Sequence, residues 1–133
     1  MYLSQAPKDD GQKSTKQFNR ATGNIGEAIA VAHLKKNGFS VVDTNFKNKI
    51  GELDIIATKN KRYHFIEVKY RRTNKYGTGL DAVTASKQRT IRKVATTYLV
   101  MKKIYCEVDT SFDVIAIMGD ERDYSLQHLE ACF

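Results

Sequence analysis

The sequence predicts an α/β domain in which two helices pack on a mixed β-sheet. Two β-prone runs, 51–57 and 63–69, flank a short polar break, which is the pattern of a β-hairpin. One segment with a helical repeat of apolar residues precedes this hairpin, and a longer one follows it. The alternating run 108–118 supplies a further strand. With 133 residues, the chain is long enough for one such domain.

The first helix is predicted to begin at about residue 16 or 22 and to end at residue 36, because Gly38 can adopt the left-handed conformation of a helix cap. Glu27 lies on an apolar stripe of this helix, so we expect its side chain to point inward. An acid near a helix start also favours the positive end of the helix dipole, which is the alternative explanation. A first strand, 39–44, follows.

The second helix is predicted to begin after Asp81 as N-cap and to end at about Met101. Its buried stripe consists of Ile91, Val94, Ala95, Tyr98 and Leu99. Lys87 borders that stripe near the helix start, where a cation opposes the helix dipole. We therefore expect an anionic neighbour for Lys87, either a site carboxylate, a phosphate or Asp81. The segment 126–133 is predicted to form a last edge strand.

The register of the hairpin determines which side chains meet. A turn centred on Asn60-Lys61 places Asp54 directly opposite Glu67, and alternation puts Asp54, Glu67 and Lys69 on one face. The other face takes Leu53, Ile55, Ile66 and Val68. A four-residue loop would keep this pairing, whereas a loop one residue longer or shorter would place the two carboxylates on opposite faces.

Directly opposed carboxylates destabilise a sheet unless something compensates their charge. A divalent cation between Asp54 and Glu67 would do so, because Mg²⁺ and Mn²⁺ take oxygen ligands. The alternative is a surface ion pair of Glu67 with Lys69, which is worth about 0–1 kcal/mol and needs no function.

The positive charge of the chain is concentrated beside this hairpin. Residues 59–103 hold 13 of the 22 lysines and arginines but only two of the 15 acids. Such a concentration suggests a polyanion partner, although a solvated basic face is the alternative. The segment 70–80 mixes bases with tyrosines, a combination that suits phosphate contact and base stacking, unless it is only an exposed connection. The residues predicted to contact nucleic acid are Arg71, Arg72, Lys75, Tyr76 and Lys87.

Asp54 followed by Glu67-x-Lys69 resembles the Asp…(Asp/Glu)-x-Lys signature of restriction-endonuclease-like nucleases. The surrounding residues stand in the order seen in the YraN-like family of small bacterial proteins: Gly26, Glu27, Asn45, 51–57, 65–71, Gly77 and Lys87. That family is similar to archaeal Holliday-junction resolvases. The resemblance runs from about Gly23 to the C-terminus. One departure is Ser111, where the family usually has an arginine before Phe-Asp-Val, and Asp113 is therefore left out of the predicted site.

The resemblance implies a restriction-endonuclease-like fold with a central mixed sheet flanked by helices. It also implies a Mg²⁺ or Mn²⁺ site. The predicted metal ligands are Asp54, Glu67, the Val68 carbonyl and Glu27, and the predicted catalytic residues are Glu27, Asp54, Glu67, Lys69 and Lys87. No role is predicted for His33, His64 or His128.

The implied function is a metal-dependent endonuclease that hydrolyses DNA, with branched or junction DNA as the expected substrate. Symmetric cleavage of a junction would need a homodimer. A nucleic-acid-binding protein that does not cut, and an RNA-directed relative, are the alternatives. The residues do not separate DNA from RNA, because phosphate contacts carry no such information.

The polar segment 1–16 is predicted to be a flexible arm, and residues 17–133 a single nuclease-like domain. No apolar run approaches the ~18 residues of a membrane helix. The N-terminus lacks the apolar core of a signal peptide, so we expect a cytoplasmic protein that does not contact membranes. Cys106 and Cys132 have no metal-binding spacing and are expected to be free thiols.

Overall fold

The computed structural model describes residues 14–72 and 83–133, and it describes side chains from residue 24 onward. Within these two ranges, two helices and five strands follow one another: α1 (Ser14–Lys36), β1 (Ser40–Lys47), β2 (Glu52–Lys59), β3 (Arg62–Arg71), α2 (Ala85–Met101), β4 (Asp109–Gly119) and β5 (Tyr124–Leu129). Helix α1 ends where the prediction placed it, and Gly38 has the expected left-handed backbone with a φ of 88°.

The five strands form one mixed sheet in the order β1-β2-β3-β4-β5. Strands β3 and β4 are parallel, and the chain crosses between them through α2, as a parallel pair requires. The other neighbouring strands are antiparallel. The predicted α/β architecture with a mixed sheet and two helices is therefore confirmed.

The β2–β3 hairpin has the predicted register. Its paired residues run from Lys59 opposite Arg62 to Ile55 opposite Ile66. Asn60 and Lys61 have φ angles of 53° and 66°. Two successive left-handed residues form the type of two-residue turn whose twist matches that of the flanking strands.

Each face of the sheet carries its own hydrophobic cluster, and each cluster is covered by one helix. The α1 cluster consists of Ala30, Leu34, Phe39, Ile55, Ala57, Ile66, Ile115 and Ile117. The α2 cluster consists of Leu53, Ile56, Phe65, Ile91, Val94, Ala95, Tyr98 and Leu99. The five buried residues of α2 are those predicted from its periodicity. Strand β4 also alternates as predicted, because Phe112 packs against the α2 cluster while Ile115 lies in the α1 cluster.

The prediction for Leu53 was wrong. Leu53 packs in the α2 cluster, whereas Ile55, two residues later, lies in the α1 cluster. Strand β1 pairs Thr44 with Ile55 and Phe46 with Leu53, and Asn45 between them has a left-handed φ of 54°. The regular alternation of side chains is interrupted at this point of β1 and β2, so neighbouring apolar residues turn to opposite faces.

Several element boundaries differ from the predictions. Helix α1 begins at Ser14, so it includes the end of the segment 1–16 that was predicted to be a flexible arm. Strand β5 ends at Leu129 and not at residue 133. The N-cap of α2 is Thr84, whose hydroxyl accepts a hydrogen bond from the Lys87 backbone N–H at 3.1 Å, and Asp81 lies outside the described residues. Strand β1 is longer than 39–44 because it pairs with β2 as far as Lys47. Strand β5 starts earlier than residue 126, because a tight turn after Gly119 brings Tyr124 back opposite β4.

Within the described residues, no helix is long and apolar enough to span a membrane. Both cysteines, Cys106 and Cys132, are free thiols as predicted, and both are exposed.

The left-handed Lys61 gives the first testable prediction. Lys61→Gly should stabilise the protein by about 0.5–1 kcal/mol, because glycine removes the steric cost of a positive φ, which exceeds its entropic penalty. Urea unfolding followed by circular dichroism measures this change. Lys61→Ala is the matched control, because it removes the same charge but keeps a Cβ atom. An equal gain in both variants would show that charge, and not backbone conformation, is the cause.

Candidate functional site

The candidate site lies where the β2–β3 ladder ends. The backbone pairs stop at Ile55 opposite Ile66, and Asp54 comes next on β2. The Asp54 Oδ2 atom accepts a hydrogen bond from the Val68 backbone N–H at 2.9 Å. A side-chain carboxylate thus occupies the position of a strand partner. Because the N–H and C=O of one strand residue point to the same side, the Val68 carbonyl also faces this edge of β3.

Glu67 lies beside this position and is buried, with only 6% of its surface exposed. Its Oε2 atom is 3.2 Å from the Lys69 Nζ atom and 3.1 Å from the Lys87 Nζ atom. Lys69 reaches Glu67 because side chains two residues apart share a face of a strand. Lys87 reaches it from the first turn of α2, which Thr84 caps. The predicted anionic neighbour of Lys87 is therefore Glu67.

Glu27 comes from α1 and is half-buried. Its Oε1 atom accepts a hydrogen bond from the Asn45 side-chain Nδ2 atom at 2.9 Å. The left-handed backbone of Asn45 allows this contact, because it breaks the alternation of β1 between Thr44 and Phe46. Burial raises the pKa of Glu27, the hydrogen bond from Asn45 lowers it, and the negative charge of Glu52 raises it.

Electrostatics show that the carboxylates are close enough to interact. Burial and the charge of Glu67 raise the pKa of Asp54 to about 7, despite the hydrogen bond from Val68, and Glu27 and Glu52 raise it further. One helix and two strands thus bring mutually repelling acids together. The ammonium groups of Lys69 and Lys87 neutralise Glu67, and among the described residues neither forms an ion pair with Asp54 or Glu27.

The donor atoms of this group fit a hard divalent cation. The Asp54 and Glu67 carboxylates and the Val68 carbonyl are all oxygen donors, which Mg²⁺ and Mn²⁺ prefer. The raised pKa of Asp54 marks a carboxyl group that lacks a compensating positive charge in the protein alone. A bound cation would supply that charge, so the residues present fit the predicted metal.

The structure brings together five of the residues predicted for the site: Glu27, Asp54, Glu67, Lys69 and Lys87. The predicted nucleic-acid contacts are less defined. Arg71 is half-buried, and its Nε atom is buried without a hydrogen-bond partner among the residues that the structure describes, whereas Arg72 is exposed. Lys75 and Tyr76 lie outside the described residues, so their roles remain predictions.

A second polar cluster was missed at the sequence level. Asp113 is completely buried and bonds to His64, His128 and Ser111. One signal was available, because the alternation of β4 places Asp113 on the same buried face as Ile115. A buried aspartate on an apolar face must have hydrogen-bond donors close by. The sequence does not indicate which strands supply them, since His128 comes from β5.

The fold and site define the class of this protein as an α/β protein of the restriction-endonuclease-like fold, with acidic residues gathered at the end of its central hairpin. The sequence model of the uncharacterised protein family UPF0102 matches residues 26–117 of this chain.

The alignments with relatives from this family cover most of this chain and most of each relative. A UPF0102 protein of Alkaliphilus oremlandii is 40% identical over 117 residues, which are 87% of this chain and 100% of the relative. Another, from Fusobacterium nucleatum, is 45% identical over 79% of this chain and 87% of its own. A third, from Clostridium perfringens, is 42% identical over 89% of this chain and 98% of its own. The chain belongs to UPF0102, the YraN family, which confirms the resemblance seen in the sequence.

The pKa of Asp54 predicts how stability depends on pH. Because the pKa in the fold is about 7 against an ordinary 3.8, the protonated acid favours folding, and this contribution is lost as pH rises between those values. The melting temperature of Asp54→Asn minus that of wild type should therefore be larger at pH 8.5 than at pH 5. Both proteins are measured without divalent cations.

The exposed acid Glu121 provides the control for this measurement. Glu121→Gln should differ from wild type by the same melting-temperature offset at both pH values. If the offset of Asp54→Asn is also the same at both, burial and the neighbouring acids do not raise the pKa of Asp54 in the fold.

Proposed function

We propose that this protein is a metal-dependent endonuclease that hydrolyses phosphodiester bonds of DNA. The observation that carries the proposal is the meeting of Asp54 and Glu67 at the end of the β2–β3 ladder, beside Lys69. These three residues form the acidic and basic positions of the signature that the sequence resembles. The raised pKa of Asp54, to which burial contributes most and the charge of Glu67 next, supports an interaction between the two acids.

Asp54, Glu67 and the Val68 carbonyl would hold a Mg²⁺ or Mn²⁺ ion, and Glu27 would bind it directly or through water. Such an ion polarises a phosphate oxygen and lowers the pKa of a bound water. Asn45 contributes by holding the Glu27 carboxylate at 2.9 Å, which limits the orientations that Glu27 can take. A carboxylate held in one orientation loses less entropy when it binds a ligand.

The two lysines differ in how far they can move. The Lys69 side chain is 15% exposed and is held against the buried Glu67, so it stays in the site. The Lys87 side chain is 44% exposed, so its ammonium group can leave Glu67 and bind a phosphate oxygen. We assign Lys69 to stabilisation of the charge that develops at phosphorus, and Lys87 to substrate binding and to the same electrostatic stabilisation.

The charge distribution supports a nucleic-acid substrate. The segment 59–103, with 13 bases and two acids, includes β3 and α2, the two elements that hold Glu67, Lys69 and Lys87. A positive surface beside a phosphodiesterase site attracts a polyanion. The similarity of the family to junction resolvases favours branched DNA, cut by a homodimer.

One observation favours a different function. Glu67 is already neutralised by Lys69 and Lys87, so this part of the site is satisfied without a metal. A protein that binds nucleic acid on this fold without cutting would keep such an ion-pair cluster. The residual repulsion at Asp54 favours the nuclease, because a binding protein would have no need of it.

A cleavage assay tests the proposal. Linear, single-stranded, flapped and four-way-junction DNA, with matched RNA strands, are incubated with Mn²⁺ or Mg²⁺. We expect wild-type cutting that Asp54→Ala or Glu67→Ala reduces by about 10²–10³-fold, because a single catalytic electrostatic group contributes a factor on that order. The fold and DNA affinity should persist in both variants.

The outcomes of this assay separate the alternatives. Glu121→Ala is the control and should cut DNA like wild type, since Glu121 is an exposed acid in the turn between β4 and β5, outside the site. Cutting retained by Asp54→Ala would exclude the metal-site assignment. Salt-sensitive binding without any cutting would favour the binding protein, and cutting of RNA alone would favour the RNA-directed relative.

The salt dependence of binding tests the predicted interface. Arg71→Ala and Arg72→Ala should each weaken DNA binding and lower the slope of log affinity against log salt by about 0.9, the value for one lost phosphate contact. Fluorescence anisotropy at several salt concentrations measures this slope. Lys36→Ala, at the exposed end of α1, is the control for a general loss of charge. An unchanged slope in the arginine variants would remove the end of β3 from the interface.

A further inference from the structure

A second group of histidine and carboxylate side chains, the types that bind metal ions, lies on the α1 face of the sheet. Asp113 of β4 is completely buried there, and its Oδ2 atom accepts two hydrogen bonds. The His64 Nδ1 atom lies 2.7 Å away and the His128 Nε2 atom 2.8 Å away. These residues come from three neighbouring strands, β3, β4 and β5. Phe39 packs edge-on against the His64 ring, with 4.9 Å between ring centroids.

The other oxygen of Asp113 is held as firmly. Its Oδ1 atom accepts hydrogen bonds from the Ser111 hydroxyl at 2.6 Å and from the Ala131 backbone N–H at 3.1 Å. Burial would raise the pKa of Asp113, but the hydrogen bonds from His128, Ser111 and the other donors lower it. The carboxylate is therefore a fixed anion. Metal-binding groups are commonly held in this way by hydrogen bonds from residues around them.

Glu130 completes the group from the segment that follows β5. One ligand atom from each of His64, Asp113 and Glu130 lies within 4.8 Å of the others. His64 and Glu130 also line a cavity of about 310 Å³ at the surface, so two of the three residues face the same solvent-accessible space.

Two bases line the same cavity, but both are engaged elsewhere. The Lys59 Nζ atom donates to the Asn37 backbone oxygen at 2.9 Å and lies 4.9 Å from the Phe39 ring centroid. The Arg62 side chain lies 3.9 Å from the Asp109 carboxylate. Neither base forms an ion pair with Glu130 within the described part of the chain, so the Glu130 carboxylate is available as a ligand.

We propose that His64, Asp113 and Glu130 bind a divalent transition-metal ion of the Zn²⁺ class, while His128 orients Asp113 by its hydrogen bond. One imidazole nitrogen and two carboxylates are ligands that Zn²⁺ accepts, and a water fills the fourth position. Ligand atoms around tetrahedral Zn²⁺ are ~3.3 Å apart. The 2.7 Å between His64 and Asp113 must therefore widen by about 0.6 Å, which small side-chain rotations supply.

An ion bound at the His64 Nδ1 atom would replace the hydrogen that this nitrogen shares with Asp113, and the neutral imidazole would carry its hydrogen on Nε2 instead. The bound metal then connects β3 and β4 to the segment after β5. Strand β5 is an edge strand, so a metal that joins Glu130 to the sheet holds this edge and the following residues in place. The site is separate from the Asp54–Glu67 site, since His64 lies on the α1 face of β3 and Glu67 on the α2 face.

The proposal is tested by metal binding to the full-length protein after removal of metals with a chelator. Zn²⁺ is titrated in competition with a chromophoric chelator, and Co²⁺ is used as a spectroscopic probe. We expect one tight Zn²⁺ per chain, a Co²⁺ absorption of four-coordinate intensity, and a rise in melting temperature with Zn²⁺. All three should persist in Asp54→Asn, which keeps this site but alters the other.

Glu130→Gln is the main variant, because Glu130 is exposed and its loss does not empty the core. This variant should lower the Zn²⁺ affinity at least tenfold and remove the rise in melting temperature that Zn²⁺ causes. The exposed control Glu121→Gln should behave as wild type. His64→Gln should weaken Zn²⁺ further if it folds. The proposal would be overturned if wild type and Glu130→Gln bound Zn²⁺ with equal affinity. It would also be overturned if Asp54→Asn lost Zn²⁺ binding while Glu130→Gln kept it.

Discussion

The candidate site depends on one constraint, which is the placement of ionisable groups at the end of the central hairpin. Glu67 is buried, and Asp54 is pushed to a pKa of about 7 by burial and by neighbouring acids. A sheet that places acids in its interior must supply donors for them. Here the Val68 N–H serves Asp54, and Lys69 and Lys87 serve Glu67. The cap at Thr84 places the first turn of α2 where Lys87 reaches Glu67.

The turn at Asn60 and Lys61 determines whether these groups can meet at all. Side chains alternate along a strand, so a shift of one residue in the register would move Glu67 to the α1 face. The two left-handed residues permit a two-residue turn and therefore one register. A second left-handed residue, Asn45, interrupts β1 and lets Glu27 approach from α1. Backbone conformations that cost energy locally thus position groups from both faces of the sheet.

The sequence predicted those parts of the fold that local patterns encode. The register of the hairpin followed from a short break between two β-prone runs, and the buried stripe of α2 followed from helical periodicity. The cluster at Asp54, Glu67 and Lys87 was predicted partly from opposed positions in the hairpin and partly from family resemblance. What failed was non-local. Leu53 turned to the other face because of an irregularity shared by two strands, which no pattern within either strand records.

The histidine cluster shows the same limit more sharply. Asp113 could be placed on the buried face of β4 from alternation alone, yet its partners come from β3, β5 and the segment after β5. Pairing between strands distant in sequence depends on the whole topology, and in particular on the parallel pairing of β3 with β4. That topology places one polar cluster on each face of β3, three residues apart. Glu67 faces α2 among oxygen donors, and His64 faces α1 among nitrogen and oxygen donors. Because donor type governs metal preference, the two proposed sites on opposite faces of one strand would suit different ions.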